Sequence, residues 1–152
     1  MNMKTHKQKS LSREKQLKLL YENIKVHKLA VVATVTQGSL PEAAVIGFAV
    51  TKKLEIICST FSTSRKHTNI LKNPRVALVI GWEKGKTVQY EGIAQELPQD
   101  EAEKQLETSL AKIPSIAKSL ALENQVLYKI KPKWIRFSDL SIDPWERFEV
   151  KF

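Results

Sequence analysis

The stretch from Cys58 to Pro74 reads CSTFSTSRKHTNILKNP and constrains how the rest of the chain can be arranged. It contains the end of an apolar segment, a run of small hydroxyl residues, and a short helix that opens with Arg65 and Lys66. Backbone N–H groups at a helix N-terminus favour a bound anion, and the arginine fork matches phosphate oxygens. The stretch therefore predicts a site for the phosphate of a bound cofactor. An ordinary capped helix with solvated cations is the alternative, and these residues alone leave both interpretations open.

Length and composition indicate one globular domain. The chain has 152 residues, of which 42% are hydrophobic, so it can bury a core of ordinary size. Residues 1–10 lack periodicity and are expected to form a flexible basic arm, followed by a single domain over residues 11–152. The one cysteine, Cys58, cannot form an internal disulfide, which favours a cytoplasmic location. The longest apolar run, Ala43–Val50, is too short to span a bilayer, so no membrane partner is expected.

The positive charge is concentrated near the N-terminus. Residues 1–28 contain eight Lys or Arg against two Glu, whereas residues 29–152 contain seventeen against fourteen acidic residues. A basic arm can contact nucleic acid or anionic lipid. Tyr21 is the one aromatic residue within residues 1–28, so solvated lysines are the favoured interpretation and nucleic acid is not expected as a partner.

Apolar periodicity predicts a mainly β fold with flanking helices. A first helix is expected from a cap at Ser10 or Ser12 to about His27, with an apolar stripe at spacings of three and four. The expected strands are Leu29–Thr36, Ala43–Val50, Leu54–Ser59, Arg75–Trp82, Thr87–Leu97 and Val126–Phe137. These runs are too continuous for a sheet with one wet face, so they favour a closed barrel or a sheet covered by another subunit.

Turn and breaker residues complete this outline. Ser64–Lys72 is expected to be a helix that ends before Pro74, and Glu83–Lys86 a hairpin turn. Gly92 indicates a bulge or a close backbone approach, and Pro132 indicates an edge strand or a bulge. A capping box at Asp100 and Glu103 should open another helix, whose buried stripe would include Ala102, Leu106 and Leu110. Pro114 should break it, with a further turn or two over residues 115–122, and the aromatic tail from Ile142 to Phe152 should pack on the barrel or a partner subunit.

The sequence contains no recognisable catalytic constellation. His6, His27, His67 and Cys58 lack the spacing of metal ligands, so no metal site is expected. No nucleophile–base pair, Walker loop or Rossmann fingerprint is present, and catalytic residues stay unassigned. If the protein is an enzyme, a cofactor must carry its chemistry.

The segment from Leu29 to Leu97 resembles the pyridoxamine 5′-phosphate oxidase-like superfamily. The matching pieces stand in the family's order: ATV at 33–35, AVIGF at 44–48, ST at 59–60, SRK at 64–66, NILKNPRVALV at 69–79 and VQYEG at 88–92. This resemblance implies a six- to seven-stranded antiparallel split β-barrel that binds flavin mononucleotide (FMN) and forms a homodimer, with the cofactor in grooves between the subunits.

The resemblance also implies a set of cofactor-binding residues. Arg65 and Lys66, with Ser64 at the helix start, would hold the FMN phosphate, and Ser59 and Thr60 would lie beside it. The strand around Ala44, Val45, Ile46 and Gly47 would run along the isoalloxazine edge. Thr87 matches a position that contributes a side chain to the cofactor in many members.

The sequence departs from true pyridoxamine phosphate oxidases at several positions. Those enzymes have Arg where this chain has Ala44 and Gln where it has Thr87. Their C-terminal signature, which includes Arg-x-His, is replaced here by the segment Lys133–Ser138. Vitamin B6 oxidase activity is therefore not expected. The haem-handling branch of the superfamily uses a C-terminal histidine. Haem is not expected here, because no histidine follows His67.

These observations leave three hypotheses. The leading one is an FMN-binding flavoprotein that acts as an oxidoreductase on an unidentified small molecule. A deazaflavin-dependent relative is a close variant. The third is a cofactor-free dimeric split-barrel binding module with a basic arm.

Overall fold

The computed structural model describes residues 11–105 and 122–152. In chain order the elements are α1 (Arg13–Ile24), β1 (Leu29–Val35), β2 (Pro41–Val50), β3 (Ile56–Phe61), α2 (Arg65–Lys72), β4 (Arg75–Ile80), β5 (Lys86–Glu96), α3 (Gln99–Gln105), β6 (Gln125–Asp139) and β7 (Glu146–Lys151). The expected mainly β architecture with flanking helices is confirmed. Within these residues, no helix has both the length and the apolar character that crossing a lipid bilayer requires.

Six antiparallel strands close into a barrel, and a seventh extends it. The strand order is β3-β2-β1-β4-β5-β6-β7, and an additional pairing between β3 and β6 closes the ring. Cys58 on β3 pairs with Tyr128 on β6 across this closure. Because every strand of the ring has two neighbours, the barrel leaves few backbone groups unpaired.

Alternating side chains fill the barrel interior. On β4, for example, Val76, Leu78 and Ile80 are buried while the residues between them are exposed. The helical stripe predicted for the N-terminal segment covers this core: Leu20 and Ile24 are buried, and Leu17 and Tyr21 pack against the same cluster. Ser12 caps α1, with its side chain accepting a hydrogen bond from the Lys15 N–H.

The expected irregularity at Gly92 is confirmed as a bulge between β5 and β6. The register shifts between Glu91 and Gly92, and Gly92 lies opposite Pro132. Because proline has no backbone N–H, it can occupy this central strand where the ladder is interrupted. Beside the bulge, the buried Tyr90 hydroxyl lies 3.0 Å from the Leu54 carbonyl oxygen and 2.8 Å from that of Ile130.

Some predicted boundaries were wrong. The third strand begins at Ile56 and not at Leu54, because Leu54 closes a turn with its N–H donated to the Thr51 carbonyl and has a positive φ of 62°. The fourth strand ends at Ile80, before Gly81 with a φ of 66°. The tail does pack on the barrel, where it forms β7 along β6.

The predicted capping box at Asp100 and Glu103 was also wrong. Helix α3 begins at Gln99, which places Asp100 inside the first turn and not at the cap position. Gln99 instead donates its side-chain amide to the Glu103 carboxylate at 3.2 Å. The predicted stripe residues Leu106 and Leu110, and most of the turn expected over residues 115–122, lie outside the described residues.

Candidate functional site

The start of α2 gathers hydroxyl groups and an ammonium at the end of β3. Ser64 is the N-cap, and its hydroxyl accepts a hydrogen bond from the His67 N–H at 3.3 Å. The Thr60 hydroxyl lies 3.0 Å from the Ser64 hydroxyl and accepts a hydrogen bond from the Lys66 ammonium at 3.1 Å. Lys66 is thereby held at the positive end of the helix dipole, where an anion is favoured.

The second cation of the motif has a different environment. The Arg65 guanidinium forms an ion pair with Glu42, which lies near the start of β2. The other carboxylate oxygen of Glu42 accepts a hydrogen bond from the Asn69 side-chain amide at 2.8 Å. Asn69 is buried and also donates to the Thr34 hydroxyl on β1 at 3.0 Å. These contacts join α2 to the β1–β2 hairpin.

Both cations line a small cavity between α2 and this hairpin. The cavity has a volume of about 260 Å³, and its wall consists of Val32, Thr34, Glu42, Ala43, Ala44, Arg65 and Lys66. Pockets that enclose a whole drug-sized ligand are roughly 300–1,000 Å³, so this one suits an end group of a larger ligand. Two cations, a helix N-terminus and nearby hydroxyls are the donor set that a phosphate group requires.

A larger and mainly apolar cavity lies on the outer face of the barrel. It has a volume of about 470 Å³ and lies against β1, β4 and β5, with Arg75, Glu91 and Lys133 among its lining residues. Thr34 borders both cavities.

Sequence comparison establishes the family. The family model described as pyridoxamine 5′-phosphate oxidase matches residues 16–139, which is most of the chain. The chain belongs to this family. No curated protein matches the sequence.

Solved structures share the split-barrel fold of the family at low sequence identity. General Stress Protein 26 from Bacillus anthracis str. Sterne has a TM-score of 0.66 and 22% identity, covering 89% of this chain and 98% of its own. A pyridoxamine 5′-phosphate oxidase-related, FMN binding protein from Nostoc punctiforme PCC 73102 has a TM-score of 0.60 and 13% identity, covering 94% of this chain and 98% of its own. A heme binding protein from Mycobacterium smegmatis has a TM-score of 0.71 and 12% identity, covering 86% of this chain and 56% of its own.

The site residues expected from the family fall into two groups within this chain. Ala44, Arg65 and Lys66 line the small cavity, and Ser64 and Thr60 hydrogen-bond at the helix start beside it. Ser59 directly precedes Thr60 on β3.

The remaining expected residues lie away from the cavity wall. The Ile46 side chain is buried in the core, Val45 is exposed on the outer face, and Gly47 pairs with Leu29. Thr87 pairs with Ser138 near the start of β5, next to the β4–β5 hairpin, and does not line this cavity.

Sequence reasoning missed three polar residues of the site: Glu42, Thr34 and Asn69. A signal for them existed. Thr34 and Glu42 flank the same hairpin turn and are directly paired in the sheet, and Asn69 follows Arg65 by four residues, which places both on one face of α2.

The contacts and burial of Tyr128 and Cys58, near α2, indicate that both residues have a structural role. The Tyr128 hydroxyl forms a hydrogen bond with Nδ1 of His67 at 2.7 Å, and burial raises the pKa of Tyr128 to about 12. Burial also raises the pKa of the Cys58 thiol to about 12, although nearby Lys66 partly opposes this. Because the thiolate is the nucleophilic form, Cys58 is a core residue and not a nucleophile.

Proposed function

We propose that this protein binds FMN and acts as a flavin-dependent oxidoreductase or flavin carrier. The observation that carries the proposal is the small cavity where Arg65, Lys66 and the α2 N-terminus meet the β1–β2 hairpin. The family match and the likeness in fold to an FMN binding relative support it. When bound, the flavin supplies the electron-transfer chemistry that the side chains of this chain lack.

In this proposal the protein's own residues position the cofactor. The Lys66 ammonium and the Arg65 guanidinium bind the phosphate, and the Thr60 hydroxyl keeps the ammonium in place. The rest of the cofactor would be held along β2, whose Ala44 lines the cavity. A homodimer would cover the apolar outer face of the barrel.

Binding measurements test the proposal. The purified protein should bind FMN with a change in the visible spectrum and quenching of flavin fluorescence. Lys66→Ala and Arg65→Ala should each weaken FMN binding about tenfold or more, because each removes a charge-assisted hydrogen bond worth roughly 1.5–3 kcal/mol. Lys66→Ala should have the larger effect, because Arg65 is already paired with Glu42 before phosphate arrives.

Lys72→Ala is the matched control. Lys72 carries the same charge in the last turn of α2, away from the helix start, so its removal should leave FMN affinity unchanged. Mass spectrometry of any ligand that co-purifies separates FMN from a deazaflavin. If neither flavin type binds to the wild-type chain, the proposal is wrong.

A cofactor-free binding module is the second candidate, and Glu42 is the observation that favours it. A carboxylate paired with Arg65, together with Ala44 in place of arginine, reduces the positive charge available to a phosphate. For such a module, nucleic-acid affinity should fall steeply with salt and drop when the basic residues 1–10 are removed, a truncation that leaves α1 packed on the core.

A further inference from the structure

The Glu42 carboxylate lies where a bound phosphate would compete with it. One of its oxygens accepts a hydrogen bond from Asn69, and the other pairs with the Arg65 guanidinium. Glu42 and both cations line the same cavity of about 260 Å³. A phosphate that binds Arg65 through its fork of donors must therefore replace this carboxylate or lie beside it.

We propose that Glu42 is a specificity-determining residue that keeps the phosphorylated cofactor exchangeable, because phosphate has to displace its carboxylate from Arg65 or bind next to it. This inference rests on the proposed function and adds to it. With Glu42 in place, the cavity wall carries two positive charges and one negative charge. A phosphate that shares this cavity with the Glu42 carboxylate is repelled by it. This repulsion opposes the attraction of Lys66 and the helix N-terminus.

A structural role for Glu42, holding α2 on the barrel, explains the contacts less well. The Arg65 side chain is 83% exposed and that of Glu42 is 17% exposed, so solvent screens the pair from the arginine side and reduces its contribution to stability. The buried Asn69 amide also donates to the Thr34 hydroxyl, so α2 stays joined to β1 without the Glu42 charge. The principal effect of that charge is therefore on what the cavity binds.

The discriminating substitution is Glu42→Gln, which removes the charge and keeps an oxygen that can accept the Asn69 hydrogen bond. FMN affinity should rise about tenfold, as expected for removing one like charge near a partly solvated phosphate. Affinity for riboflavin, which has the same ring without phosphate, should not change. Both affinities are measured by titration of flavin fluorescence, and the thermal midpoint reports on folding.

Glu83→Gln is the control for net charge. Glu83 is exposed in the β4–β5 hairpin, so its replacement changes the total charge equally and should leave both affinities unaltered. The inference is overturned if Glu42→Gln weakens FMN binding, leaves it unchanged, or shifts FMN and riboflavin affinities together. The last result would indicate a structural role.

Inorganic phosphate provides a probe that does not depend on flavin. In ¹⁵N-labelled protein, phosphate should shift the guanidinium Nε–H signal of Arg65, which is assigned by its loss in Arg65→Lys. The shift should occur at about tenfold lower phosphate concentration in Glu42→Gln. If this difference is seen while FMN fails to bind either protein, the inference stands and the flavin assignment fails. Equal phosphate responses overturn the inference even if FMN binds.

Discussion

The two adjacent cations of α2 have different partners. Lys66 is half-buried and donates to Thr60, whereas Arg65 reaches through solvent to Glu42. The difference follows from helix geometry, since consecutive residues point about 100° apart around the axis. The ammonium is thereby pre-positioned for an anion, while the guanidinium must first leave its carboxylate partner.

Buried acidic groups predict a loss of stability at alkaline pH. Burial raises the pKa of Cys58 from 9.0 to about 12 and that of Tyr128 from 10.0 to about 12, and it also raises the pKa of Tyr90. The unfolded chain therefore loses these protons at lower pH than the folded protein does. The free energy of unfolding should fall as pH rises from about 9 to about 12.

Urea denaturation at several pH values measures this loss. Cys58→Ala and Tyr128→Phe should each reduce the slope of the unfolding free energy against pH, whatever they do to its absolute value. A free energy of unfolding that stays constant up to pH 11 would contradict the prediction.

At the scale of elements, the β5–β6 bulge keeps two long strands in one barrel. β5 has 11 residues and β6 has 15, and their register shifts beside Gly92. A side chain at Gly92 would place its Cβ atom 2.6 Å from the Lys131 carbonyl oxygen and 2.7 Å from Cγ2 of Ile130. The close approach of the two backbones therefore requires glycine at this position.

Gly92→Ala should destabilise the protein by roughly 1–3 kcal/mol, because the backbone of β6 must move to accept the methyl group. Gly38→Ala is the matched control: its Cβ would lie 3.8 Å from the nearest atom, the Thr36 hydroxyl oxygen, in the β1–β2 turn. That substitution should change the free energy of unfolding by less than about 0.5 kcal/mol. Equal effects of the two substitutions on urea denaturation would show that the contact at the bulge is unimportant.

At the scale of the whole molecule, the outer barrel face exposes apolar residues. Val45 on β2 and Val79 on β4 are 61% and 39% exposed, and the half-buried Val31 lies between them in the sheet. The mainly apolar cavity of about 470 Å³ lies against the same face. We propose that this face is covered by a second subunit in a homodimer.

Analytical ultracentrifugation should therefore find a dimer at micromolar concentration. Val79→Glu should convert this dimer to a monomer, because an interface core excludes an unpaired charge. The FMN affinity of Val79→Glu should also be lower than that of the wild-type chain if the cofactor lies between subunits. Leu71→Glu introduces the same charge on the exposed side of α2 and should preserve the dimer. A wild-type chain that sediments as a monomer at all concentrations would contradict the prediction.

Local patterns in the sequence determined the elements and the family of this protein. Side-chain alternation marked the strands, Ser64 and Pro74 delimited α2, and Gly92 with Pro132 marked the bulge, because each of these signals acts through the backbone near its own residue. Ring closure between β3 and β6 and the pairing of Glu42 with Arg65 were decided only in the tertiary structure. Such contacts depend on strand register and helix docking between distant segments, which no local period encodes. The charge of the site is therefore a property of the folded barrel, whereas the cations that define it are visible in the sequence.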